Sequence, residues 1–202
     1  MKTQLIALAA LATVTSLPLA VHAQDAASTS FNVSAVTDYR YRGISQTRVK
    51  PALQGGVDFS HPSGLYLGAW ASTIKWIKDF GGDSSIEVDL YGGYKGELTK
   101  GVGYDVGVLA YVYPSNKLSP SANTTEIYAA LTYGPVTAKY SHSLTNLFGF
   151  VDSKGSGYLD LSATFDLGNG WGVTPHIGRQ TVANNSAFSY SDASLTVTKE
   201  AF

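Results

Sequence analysis

From Phe31 onward apolar residues recur at every second position, the period of a strand with one oily face. Ten segments carry the pattern. The first sets Phe31, Val33, Ala35, Tyr39 and Tyr41 on one face, and the second sets Leu53, Val57 and Phe59. The third, residues 65–74, fits either phase, because Leu65, Leu67 and Ala69 compete with Tyr66 and Trp70. The next three are built on Ile86, Val88, Leu90 and Tyr94, on Tyr104, Val106, Val108, Ala110 and Val112, and on Ile127, Ala129, Leu131 and Tyr133. The last four are built on Val136, Ala138 and Tyr140, on Leu159, Leu161, Ala163, Phe165 and Leu167, on Trp171, Val173 and Ile177, and on Ala193, Leu195 and Val197. No helical period with caps and no solenoid repeat is visible after the leader. Pro175, inside the ninth segment, has no N–H for a ladder and predicts a bulge or a weakened pairing there.

The connections are sorted by length. Those after segments one, three, five, seven and nine (43–50, 75–85, 114–124, 144–157 and 181–189) are all longer than those between (61–64, 96–101, 134–135 and 168–170). In a meander, alternate connections lie at opposite ends. One loopy end and one tight end is the pattern of outer-membrane barrels.

The charges agree. Asp58, Glu87, Asp89, Asp105, Glu126, Lys139, Asp160 and Asp192 are the charged residues within the strands and away from their ends, and all eight take the phase opposite the apolar residues. A charge facing lipid at mid-membrane costs about 2–4 kcal/mol. The apolar face has Val, Leu, Ala and Ile in its middle. Aromatic residues stand near its ends: Phe31, Tyr41, Phe59, Tyr94, Tyr104, Tyr133, Tyr140, Phe165 and Trp171, as in a lipid-facing barrel with aromatic girdles. The predicted fold is an all-β, up-and-down antiparallel transmembrane β-barrel of about ten strands. The alternative is a truncated twelve-stranded barrel. A soluble lipocalin-like carrier would need the Val/Leu face inside.

Composition narrows the partners. The chain has 202 residues, no cysteine and a net charge of -1, which excludes a disulfide framework and a strongly basic nucleic-acid binder. Residues 1–23 read as a secretory signal: Lys2, an apolar stretch from Leu5, and small residues before Gln24. Residues 24–30 read as a flexible lead-in and 31–202 as the barrel domain. Nine of the bases lie at the long-loop end: Arg40, Arg42, Arg48, Lys50, Lys75, Lys78, Lys117, Lys154 and Arg179. That distribution suits the phosphates of lipopolysaccharide in an outer leaflet.

Three stretches carry a resemblance: Asp38-Tyr39-Arg40-Tyr41-Arg42-Gly43-Ile44-Ser45-Gln46, Lys50-Pro51-Ala52-Leu53-Gln54-Gly55-Gly56-Val57-Asp58, and Gly64-Leu65-Tyr66-Leu67-Gly68-Ala69-Trp70-Ala71-Ser72. Glu87-Val88-Asp89-Leu90-Tyr91-Gly92-Gly93-Tyr94 continues it. Together these are similar to the TorF porin family of proteobacteria. The resemblance implies a barrel, the outer membrane of a Gram-negative cell and a pore, and it brings no catalytic residues. Members of that family run on for a further strand pair, so the resemblance also implies truncation at Phe202.

Catalytic chemistry is sparse. His61, His142 and His176 share no metal-ligand spacing, and Ser141-His142-Ser143 is the one candidate for a hydrolase. Polar residues at a strand end account for it more simply. The expectation is therefore a non-enzymatic channel, without cofactor, passing small hydrophilic solutes or ions. The rival expectation is a structural or adhesive barrel with a plugged interior. Ten strands imply a backbone diameter of roughly 20 Å, so the lumen is narrow. Its predicted lining is Asp58, Glu87, Asp89, Asp105, Glu126, Asp160 and Asp192 against Lys139, with Arg40 and Arg42 in the same inward phase at the outer end of the first strand. Such an acidic excess predicts weak cation preference.

Overall fold

The computed structural model describes residues 26–200. The predicted leader, the first part of the lead-in and Phe202 lie outside the described residues. In chain order the elements are β1 Ser28–Val36, β2 Arg40–Tyr41, β3 Ile44–Ser45, β4 Ala52–Ser60, β5 Leu65–Thr73, the helical turn α1 Trp76–Asp79, β6 Ile86–Thr99 and β7 Val102–Val112. Then come β8 Thr124–Tyr133, β9 Val136–Ser143, β10 Gly157–Ala163, β11 Phe165–Gly168, β12 Trp171–Thr181, a 3-10 turn Ser186–Phe188 and β13 Tyr190–Lys199.

The long strands form one antiparallel meander, β1-β4-β5-β6-β7-β8-β9-β10-β12-β13, with β11 continuing β10 along β12. Among the described residues no ladder joins β1 to β13. The short connections lie at one end. The tightest include Asn169-Gly170, at φ 53° and 75°, the left-handed pair that a two-residue hairpin favours. The other end carries the long loops, with α1 and the 3-10 turn among them.

Alternation places the apolar residues outward. Phe31 and Val33 are 79% and 82% exposed, and Leu53, Leu67, Leu131, Leu159, Ile177 and Leu195 all face away from the interior. Glu87 and Glu126, at 2% and 1% exposure, are inside. This is the reverse of the arrangement a soluble carrier would need. The third segment resolves the same way: Leu65, Leu67 and Ala69 point out, and Tyr66 and Trp70 point in. A small apolar core does exist, but it sits inside the loop end, where Val36, Tyr39, Ala52, Ile74, Ile77, Tyr111, Tyr113 and Ala122 are buried together.

Three expectations need correction. The first strand begins at Ser28, since Ser28, Thr29 and Ser30 of the expected lead-in pair with Ser60, Phe59 and Asp58. It also ends at Val36 rather than running on to Tyr41. The chain then leaves the sheet and makes a separate two-rung hairpin, Arg40 with Ser45 and Tyr41 with Ile44. Phase is therefore lost after Val36: Tyr39 leaves the outward apolar face and turns into the molecule, Tyr41 does the same instead of joining an outer girdle, and Arg40 stays at the surface. Finally, β6 and β7 extend to Thr99 and Val102, which shortens that turn further.

Pro175 behaves as its chemistry requires. It keeps its rung with Leu195 of β13, but on its other side the β10 ladder stops at Ser162 opposite His176 and resumes as β11 at Phe165 opposite Val173. The break lies opposite the residue without an N–H. The Thr174 hydroxyl spans it, donating to Thr164 Oγ1 at 3.1 Å.

Candidate functional site

The inner face is organised by tyrosines that lie across glycines. In the cross-strand row Asp58, Gly68, Tyr91, the tyrosine of β6 lies over the glycine of β5 and donates its hydroxyl to Asp58 of β4 at 2.5 Å. A Cβ on Gly68 would fall within the Tyr91 ring. In the row Tyr66, Gly93, Gly107, Tyr128, two tyrosines flank two glycines, and their hydroxyls meet over the gap. Tyr66 also donates to Asp105 at 2.5 Å. Tyr158 leans over Gly178 and reaches Asp192 on β13, at 3.0 Å. A glycine gives up its side chain so that a ring from the next strand can occupy the space and carry a donor to a carboxylate that would otherwise be unsatisfied.

The second feature is the hairpin of β2 and β3, which is folded into the loop end of the interior. Its turn, Arg42-Gly43, has φ of 46° and 79°. A left-handed arginine is a strained choice, and this one projects its guanidinium into the centre. Arg42 donates to Glu126 through both terminal nitrogens, at 3.0 and 2.6 Å, and to Gln180 Oε1 at 2.8 Å. The guanidinium is held between the rings of Tyr41 and Tyr158, at 4.8 and 4.3 Å from their centroids. Gln180 is itself fixed, because its Nε2 donates to the carbonyls of Gly157 and Thr181. Gly43 has no room for a Cβ, which would lie 2.7 Å from that of Asp192. Asp38 accepts from Thr47 Oγ1 at 3.0 Å, and the Gln46 carbonyl accepts from Lys75 N at 2.8 Å. These bonds fasten the hairpin to itself and to the next loop.

Above the hairpin, Tyr41, Trp76, Tyr111, Tyr113 and Phe148 make edge-to-face contacts, for example Tyr111 with Phe148 at 5.2 Å. These rings pack with the small apolar core at the loop end. Toward the tight-turn end the inward residues change to small hydroxylated ones, Thr132, Thr137, Ser162, Thr164, Thr174 and Thr196, all half-buried.

The structure places each predicted lining residue. Glu87 accepts from the Tyr39 hydroxyl at 2.6 Å. Asp89, two residues on and inward like Glu87, is buried, and its Oδ1 has no hydrogen-bond partner. Asp160 accepts from His176 Nε2 at 2.8 Å, while His176 Nδ1 lies 3.7 Å from Asp192. Lys139 stands 3.9 Å over the Tyr128 ring and opposite Asp160 in register. Arg40 is a correction: because the strand ends early, it pairs with Asp38 at 2.8 Å at the surface and does not line the interior. Lys95 takes its place. It is inward, opposite Asp105 and 5.4 Å over the Tyr66 ring. The seven acids thus face three bases, Arg42, Lys95 and Lys139, together with His176. Ser141-His142-Ser143 is split by alternation: both serines are buried inside and His142 lies outside beside Tyr140. Among the described residues no group of three or more His, Asp or Glu is placed to hold a metal ion. The loops are tied by exposed pairs, Arg48 to Asp79 and Lys117 to Asp83, and Lys117 holds the Asp83 carboxyl below its usual range.

An antiparallel β-meander with its mid-strand charges on the inner face and its aliphatics on the outer one, and with its own hairpin folded into one end, defines the class of this protein. The chain belongs to the Gcw_chp family, described as bacterial proteins of unknown function, which matches residues 20–202. No curated protein and no solved structure gives a significant match.

The tyrosine–glycine rows generate a contrast. A Cβ on Gly93 would overlap the Val106 carbonyl oxygen and the Tyr66 hydroxyl, whereas on Gly103 the nearest atom is 3.7 Å away. Gly93→Ala is expected to lose about 1–3 kcal/mol of stability, and Gly103→Ala to stay within about 0.5 kcal/mol of the parent. Urea titration of both variants in detergent checks the difference.

Proposed function

We propose that the chain is a bacterial outer-membrane β-barrel of the porin type, as its likeness to TorF porins implies. In this reading it passes small hydrophilic solutes or ions and is closed at its loop end in the arrangement described. The observation that carries this is the inversion of the faces. A belt of exposed aliphatics around buried, hydrogen-bonded charges is stable in hydrocarbon and unfavourable in water. No helix among the described residues is long and apolar enough to cross a membrane, so strands would do the crossing. A secretory leader and short turns at one end support the same orientation, with the loops outside the cell and the turns in the periplasm.

In this reading the Thr- and Ser-lined half is a vestibule open to the periplasm, and the Arg42 hairpin is the closure. One observation favours the structural alternative, a permanently plugged barrel: the bidentate, doubly stacked Arg42–Glu126 pair is a demanding contact to break, since removing one partner of a buried pair costs about 3–5 kcal/mol. Planar-bilayer recording separates the two. A gated channel gives rare steps in the parent and frequent ones in Arg42→Ala. A plugged barrel is silent in both.

The acidic excess directs the selectivity. Cation preference is expected from a lining with seven acids against three bases, with Glu87 and Asp89 singled out because they stand two apart on one strand and point to the same side. In a salt gradient the reversal potential of the Arg42→Ala channel should have the cation sign, and Glu87→Gln with Asp89→Asn added should move it toward zero. An anion sign, or no movement, contradicts the assignment.

A further inference from the structure

The outward face has one basic side chain within its strands near the loop end, and it stands at the head of a groove. Arg179 lies on β12 two residues before that strand ends at Thr181, and it shares the outward phase with Ile177. Opposite it in register is Ser191, and opposite Ile177 is Ala193. These two small residues on β13 leave a trough of about 610 Å³ between β10, β12 and β13, with Leu159, Leu161 and Ile177 along its walls. Arg179 Nη1 donates to Ser191 Oγ at 3.3 Å. Among the described residues Arg179 forms no ion pair.

We propose that this trough is a lipid site, and that its occupant is the phosphorylated, acylated sugar anchor of lipopolysaccharide, with a phosphate on Arg179 and an acyl chain between Leu159, Leu161, Ile177 and Ala193. The proposal rests on the outer-membrane reading above. The physical argument is complementarity. A guanidinium on a lipid-facing wall is costly unless it sits at the headgroup level and meets an anion. Arg179 stands at the loop end of β12, and no carboxylate among the described residues is paired with it. Its planar donors suit a phosphate, and the apolar trough below it runs in the direction an acyl chain takes. The choice of lipopolysaccharide over a glycerophospholipid follows from the end of the molecule. The long loops at the same end carry Lys50, Lys75, Lys78 and Lys154, all exposed, and a ligand with several phosphates engages several such bases better than one with a single phosphate.

The test uses the full chain folded in detergent, with the heat-induced loss of its compact gel form as the readout. A ligand that binds only the folded state raises that midpoint. Lipopolysaccharide titrated into the parent is expected to raise it. Arg179→Gln removes the phosphate contact, and Ala193→Leu fills the trough with an outward aliphatic side chain. Each should shift the half-saturating concentration upward by about tenfold, the scale of one charge-assisted bond, with the ligand-free midpoint unchanged. Lys100→Gln, exposed in the tight turn at the opposite end of the sheet, should change it less than about twofold. Parent-like titrations for both Arg179→Gln and Ala193→Leu overturn the site, as does a folded parent that does not respond. An equal response to phosphatidylglycerol overturns the choice of lipid. A chain that remains folded and monomeric in water without detergent overturns the outer-membrane reading itself, and that result is obtained before any lipid is added.

Discussion

A carboxylate inside a sheet must find a donor, and in this protein the donors come mainly from tyrosines that cross a neighbouring strand. Strands stand about 4.8 Å apart, so a side chain can pass over one strand only if the residue beneath it is very small. Gly68 under Tyr91, Gly93 and Gly107 between Tyr66 and Tyr128, and Gly178 under Tyr158 meet that condition. The hydroxyls then reach Asp58, Asp105 and Asp192. Each row ties three or more strands together with side chains, in addition to the backbone ladders. Replacing a glycine in a row does more than crowd a ring, because it withdraws the donor from a half-buried acid.

The hairpin depends on the same inner surface. Arg42 enters from the segment after β1 and touches β8, β10 and β12, while Gly43 packs against Asp192 of β13. The hairpin thus spans the interior from the first strand to the last. Its left-handed arginine, two aromatic faces and bidentate acid would be a costly way to build an ordinary surface loop. They make sense as a fitted closure, with the aromatic rings above it excluding water and strengthening the pair.

Much of this was legible in the sequence. Period two, opposed charge phase and sorted loop lengths together specify a meander with polar residues inside, and Pro175 marks the place where a ladder breaks. The site was legible only in part. Alternation identified Asp58, Glu87, Asp89, Asp105, Glu126, Lys139, Asp160 and Asp192 as sharing one face, because parity is a property of a single strand. It failed at Tyr39, Arg40 and Tyr41, where the chain leaves the sheet. The signals for that exit were present locally: Asp38, Ser45 and Thr47 are turn-forming types, and Gly43 follows Arg42 between two short apolar-polar pairs. The tyrosine–glycine rows could not be read at all. They are relations between strands, set by register, and no single strand contains them. Lys95 was missed because its position near a turn suggested a surface charge, whereas the extended β6 keeps it in the inward phase.

The account stands on which face meets water and which meets lipid. The chain contains no cysteine, so single thiols can report this without background. Val106→Cys, Leu131→Cys and Leu161→Cys probe the outward face, and Thr132→Cys, Ser162→Cys and Thr174→Cys probe the open half of the interior. With the protein reconstituted in liposomes, the three outward thiols should resist a water-soluble maleimide and react with one dissolved in the bilayer, while the three inward thiols should do the reverse. Outward thiols that react freely from water would contradict the account.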